Sequence, residues 1–102
     1  EGGMIQALGY AVCENMTYTE KGEQHQKDFR DYHIYFANEI PQLTTIFVET
    51  NEPSHPFGVK AVAEIPMDGV APAVGNAILN ATGAHIDSLR ISPEKIWKAL
   101  NS

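Results

Sequence analysis

Glu64 is the carboxylate with the clearest capacity for chemistry. It follows Val62-Ala63 and precedes Ile65-Pro66, and none of those side chains can donate it a hydrogen bond. Poor hydration disfavours the charged form of a carboxylate and raises its basicity, which suits a general base. The stretch that carries it, Pro56-Phe57-Gly58-Val59-Lys60-Ala61-Val62-Ala63-Glu64-Ile65-Pro66, is bounded by prolines. Behind it, Asp68-Gly69-Val70-Ala71-Pro72 reads as a helix start, so the positive end of a helix is expected beside the carboxylate. Glu23, Glu39, Glu49 and Glu52 sit in polar company and read as solvated surface charge.

Other chemistries lack their residues. His25, His33, His55 and His85 form no i, i+4 pair and have no cysteine at zinc spacing, so surface or loop histidines are the simpler reading and no metal ligands are assigned. Cys13 lies in an apolar helical pattern without a neighbouring histidine and reads as a small buried hydrophobe. As the single cysteine it cannot form an internal disulfide, and a reducing, cytoplasmic setting follows most easily. No nucleophile elbow, P-loop or dinucleotide fingerprint is present. A stand-alone acid/base enzyme would need a second group beside Glu64, for which Lys60 or His55 would have to serve.

The elements that must position Glu64 follow from periodicity. Met4, Ile5, Leu8, Ala11 and Val12 recur at helical steps, interrupted by Gly9, where close approach of another backbone is expected. Met16 to Thr19, the turn Lys21-Gly22-Glu23 and Gln24 to Lys27 predict a hairpin. Tyr32, Ile34 and Phe36 alternate as in a strand, and Leu43 to Glu49 is the clearest strand, with Ile46-Phe47-Val48 a buried run. From Asn51 to Asp68, Pro53, Pro56 and Pro66 deny regular pairing, and the apolar content predicts an ordered loop. A second helix spans Gly69 to Thr82, with Val70, Val74, Ala77, Ile78 and Ala81 on one face and Gly83 as its cap. Ile86, Leu89 and Ile91 mark a short strand. Ser92-Pro93-Glu94 opens a last helix whose buried side is Ile96, Trp97 and Leu100. The expected class is α+β: a small mixed sheet or hairpins with two to three helices.

The totals set the outer bounds. One hundred and two residues, 43% of them hydrophobic, suffice for one domain with a modest core. No run approaches the roughly 20 apolar residues of a membrane helix. A formal net charge of −6, with 7 basic against 13 acidic residues, opposes binding to a phosphate backbone. The abrupt opening Glu1-Gly2-Gly3 suggests a piece cut from something longer.

Five blocks in order carry a family resemblance. They are Glu1-Gly2-Gly3-Met4-Ile5-Gln6-Ala7-Leu8-Gly9-Tyr10-Ala11, Asp31-Tyr32-His33-Ile34 with Ile40-Pro41, Phe57 to Pro66, Ala71 to Ile78, and Ser92 to Trp97. Together they resemble the C-terminal part of the large subunit of the xanthine dehydrogenase and aldehyde oxidase family. The Phe57–Pro66 block is similar to that family's Phe-Gly-x-Lys-Gly-Val-Gly-Glu-Pro-Pro. Ala61 and Ala63 stand where the family commonly has glycine, and Ile65 where proline is usual.

The resemblance implies that residues 1–102 are a C-terminal segment of a molybdopterin-binding domain, a fragment of a larger subunit. It implies a molybdenum hydroxylase acting on a purine, aldehyde or N-heterocycle, with the glutamate at position 64 taking the proton from a molybdenum-bound hydroxyl. Gly58, Lys60, Ala61, Val62 and Ala63 would border the molybdopterin cofactor. Iron–sulfur clusters and a flavin (FAD) would reside in partner domains or subunits. The isolated piece would hold no cofactor, be inactive and self-associate through surface meant for the remainder of the subunit. Neither nucleic acid nor membrane is an expected partner. The other reading is a small non-catalytic α+β module that binds a protein partner or builds an oligomer.

Overall fold

A computed structural model describes all 102 residues, Glu1–Ser102. Three α-helices form where the periodicity places them: α1 (Gly2–Val12), α2 (Val70–Thr82) and α3 (Pro93–Leu100). Two single 3-10 turns, Pro56–Gly58 and Ile65–Met67, interrupt the long loop between α1 and α2. The helix ends follow side-chain chemistry. Gly83 adopts φ 78° after α2, the left-handed conformation that only glycine takes without strain, and its N–H returns to the Leu79 carbonyl at 2.8 Å. At α3 the Ser92 hydroxyl accepts from the Lys95 N–H at 3.3 Å, with Pro93 in the first turn.

The small core is made of small residues. Ala7 and Ala11 of α1 are fully buried, and Ala84 and Ile91 nearly so. Spaced one turn apart, the two alanines let α2 approach closely. The Ile91 N–H donates to the Ala11 carbonyl at 2.8 Å, tying the segment after α2 to the end of α1. Lys95 completes the tie, its Nζ donating to the carbonyls of Ser88 at 3.0 Å and Leu89 at 2.9 Å. Because Ser92 is also largely buried, Ser92→Ala removes a cap that water cannot replace there. The α3 amides are then expected to exchange about fivefold faster, the equivalent of about 1 kcal/mol, as read by hydrogen exchange.

No sheet forms. The expected hairpin contracts to one antiparallel bridge, Tyr18–Gln24, turned at Gly22 with φ 81°. Gln26 draws its arm away, its side-chain oxygen accepting from the Thr17 N–H at 2.7 Å. The segments around Tyr32–Phe36, Leu43–Glu49 and Ile86–Ile91 are not strands, because no second strand lies beside any of them to supply ladder hydrogen bonds. The expected burial of Ile46, Phe47 and Val48 fails with the sheet: they are 83%, 85% and 83% exposed. The expected buried side of α3 is likewise largely uncovered: Trp97 is 65% and Leu100 52% exposed, and of the three residues expected there only Ile96 is half-buried. On α2, Val70, Val74 and Ile78 are half-buried while Ala77 and Ala81 are exposed. The expectation for Gly9 also changes, since its near neighbour is the Glu14 carboxylate rather than a backbone.

The overall dimensions agree with that exposure. The radius of gyration is 17.6 Å, against about 13 Å for a self-contained domain of this length. The accessible surface is 8142 Å², against about 5,700 Å² from size scaling. These residues fold around two helices and leave most of their apolar surface uncovered.

Candidate functional site

The loop that carries Glu64 is built in two stages. Its first stage is a closed ring from Glu52 to Gly58, in which the Glu52 N–H donates to the Gly58 carbonyl at 3.1 Å and the Gly58 N–H to the His55 carbonyl at 3.0 Å. Ser54 donates through its hydroxyl to the Glu52 carboxylate at 2.7 Å, which holds that carboxyl below its usual range. Pro56 supplies the restrained second position of the turn, and Phe57 takes a left-handed backbone, φ 57° and ψ 14°, at the third. Gly58 follows at φ 68°, close against the Asn51 side chain.

The second stage runs from Val59 to Met67. Lys60, Ala61, Val62, Ala63 and Glu64 are all exposed and extended or bent, and the chain then turns through Ile65–Met67. The Glu64 carbonyl caps that turn by accepting from the Met67 N–H at 2.8 Å, while its side chain makes no capping hydrogen bond. A Cβ built on Gly3 would stand 3.0 Å from Pro66 Cβ and 3.7 Å from Met67 Cγ. The first turn of α1 thus packs on the turn behind Glu64, and α2 begins at Val70, six residues beyond it. Gly3→Val is expected to overpack that contact by about 1–3 kcal/mol and to speed exchange of the Met67 amide by about tenfold or more.

The poorly hydrated setting expected for Glu64 is not supplied by these residues, because its neighbours Val62, Ala63 and Ile65 point no core toward it and are themselves exposed. Nor does it line the cleft of about 290 Å³ between α2 and the following segment, which is bordered by Pro72, Gly75, Asn76, Leu79, Ile86 and Asp87. The ion pairs are Asp28–Arg30 and His33–Glu39, so neither Lys60 nor His55 is paired with Glu64 as a two-group catalyst would require. No group of three or more His, Cys, Asp or Glu side chains is placed to hold a metal ion. Burial, reinforced by Glu14, pushes the Cys13 thiol up, away from a reactive thiolate.

Two features of the site were not readable in advance. The Asn51 side chain lies against Gly58, and Phe57 accepts a conformation usual for glycine or asparagine. The Pro-Phe-Gly order signals a turn, but nothing in it says which residue takes the left-handed position. Elsewhere Tyr32 donates to Glu14 at 2.5 Å, joining the Asp31–Ile34 block to the end of α1 and raising the tyrosine's own pKa.

Residues 1–41 match the family model described as a molybdopterin cofactor-binding domain. The xanthine dehydrogenase molybdenum-binding subunit of Escherichia coli O157:H7 is 36% identical over 98 residues, covering 95% of this chain and 13% of that protein. The carbon monoxide dehydrogenase large chain of Afipia carboxidovorans is 34% identical over 98 residues, covering 95% of this chain and 12% of that protein. The fold is similar to that of quinoline 2-oxidoreductase from Pseudomonas putida 86, with a TM-score of 0.85 and 28% identity over 99% of this chain and 13% of that one. The chain belongs to the molybdopterin-binding large-subunit family of xanthine dehydrogenase and aldehyde oxidase.

It spans about an eighth of the length of the relatives it matches. The residues present fit molybdopterin as one border of a site. Gly58, Ala61 and Ala63 offer backbone with little or no side chain in the way, and Lys60 adds a cation beside them. No helix is long and apolar enough to cross a membrane.

Proposed function

We propose that this chain supplies one wall and the general base of a molybdenum hydroxylase active site. The observation that carries the reading is the anchored, small-residue loop Gly58–Glu64, open to solvent in a chain similar over nearly its whole length to molybdenum-binding subunits. Gly58, Lys60, Ala61, Val62 and Ala63 would border the molybdopterin, and its molybdenum would supply the redox step and an oxygen for transfer to substrate. Glu64 takes a proton from the oxygen nucleophile at a carboxylate oxygen, so that attack falls on an electron-poor carbon of a purine, aldehyde or N-heterocycle.

The rest of the subunit would enclose the loop and expel water from around the carboxylate. Iron–sulfur and flavin partners would carry the electrons away, and we place the enzyme in the cytoplasm, in keeping with the free Cys13 of these residues. By itself the chain is expected to be inactive and to self-associate through its uncovered apolar residues. The test is Glu64→Gln in the full-length subunit: turnover should be lost while molybdenum content holds, and normal turnover would remove the base assignment.

A further inference from the structure

Leu43 to Glu49 is an unpaired segment with the sequence of a strand that is apolar on both faces. From Ile40 to Asn51 no backbone group makes a hydrogen bond to another backbone group of the chain. Thr44, Thr45, Ile46, Val48 and Thr50 are β-branched, the residue type that fits a pleated sheet. Successive strand residues point to opposite faces, so Phe47 lies on one face and Ile46 with Val48 on the other. All three are more than four-fifths exposed. An edge strand with one wet face alternates apolar and polar residues, whereas a strand covered on both faces carries a continuous apolar run.

We infer that Leu43–Glu49 is an interior strand of the assembled subunit, hydrogen-bonded on both edges and covered on both faces by polypeptide lying outside these 102 residues. The inference rests on the reading that the chain is part of a larger subunit. One observation chooses that occupant over a second copy. Quinoline 2-oxidoreductase carries a similarly folded segment, matched to 99% of this chain, within only 13% of its own length, which leaves ample polypeptide to pair with such a segment.

Hydrogen exchange resolved to single amides tests it, in the full-length subunit and in the isolated 102-residue chain. In the full subunit every amide from Thr44 to Glu49 should exchange at least 10³-fold more slowly than in the isolated chain. Protection of alternate amides only would make the segment an edge strand and overturn the interior placement. Fast exchange in the full subunit would overturn the pairing altogether. Protection in the isolated chain that rises with its concentration would assign the segment to a second copy instead. None of these results touches Glu64: a full subunit that protects the strand but binds no molybdenum would defeat the enzymatic reading alone.

Discussion

Replacing Glu64 with glutamine in the full-length subunit should lower kcat by about 10²–10⁴, the range that a positioned general base contributes. Glutamine keeps the shape and the hydrogen-bonding oxygen but cannot hold a proton. The variant is a clean one because the Glu64 side chain is exposed and makes no capping hydrogen bond, so no internal contact is lost with the charge. What anchors the loop is backbone: the Glu64 carbonyl on Met67 and the Pro66 ring on Gly3, neither of which the substitution alters. Molybdenum and pterin content should therefore match the parent. A second readout separates a base from a charge that merely attracts substrate. Loss of a base lowers kcat with KM nearly unchanged, whereas loss of a charge that only attracts substrate raises KM with kcat nearly unchanged. A raised KM with kcat unchanged would remove the base assignment.

The helices were legible because their signals are local. Gly83, Ser92 and Pro93 set helix ends through their own backbone and hydroxyl chemistry, which needs no distant partner. Glu64's place on an ordered loop just before α2 was legible for the same reason, since prolines and a glycine punctuate the stretch. The sheet was not. A strand exists only with a neighbour, and the hydrophobic run Ile46-Phe47-Val48 records a need for burial without saying which polypeptide meets it. Trp97 on α3 makes the same point, its helical spacing being right and its covering surface absent. The dryness assumed around Glu64 failed likewise, because neighbouring apolar residues exclude water only when something packs on them.

The ring that precedes the base should be the most sensitive place to add a single carbon. Gly58→Ala meets two separate costs. At φ 68° an L-residue is strained by about 1–2 kcal/mol, and the new Cβ would lie 1.9 Å from Asn51 Oδ1 and 2.8 Å from its Cγ. The Asn51 Cα stands at 3.5 Å, an ordinary contact, so the amide can swing aside while the backbone stays. The expected loss is therefore about 2–3 kcal/mol of local stability, the strain plus about 1 kcal/mol for displacing the amide. It should be read as exchange of the Glu52 amide, whose bond to the Gly58 carbonyl closes the ring. Asn51→Ala combined with Gly58→Ala should return the contact share and leave the φ share, a coupling that two independent sites would not show. Because the ring fixes where Lys60–Glu64 departs, turnover of the full subunit should fall about tenfold or more in Gly58→Ala and recover in part in the double variant. If Gly58→Ala leaves both exchange and turnover unchanged, the ring does not position the base.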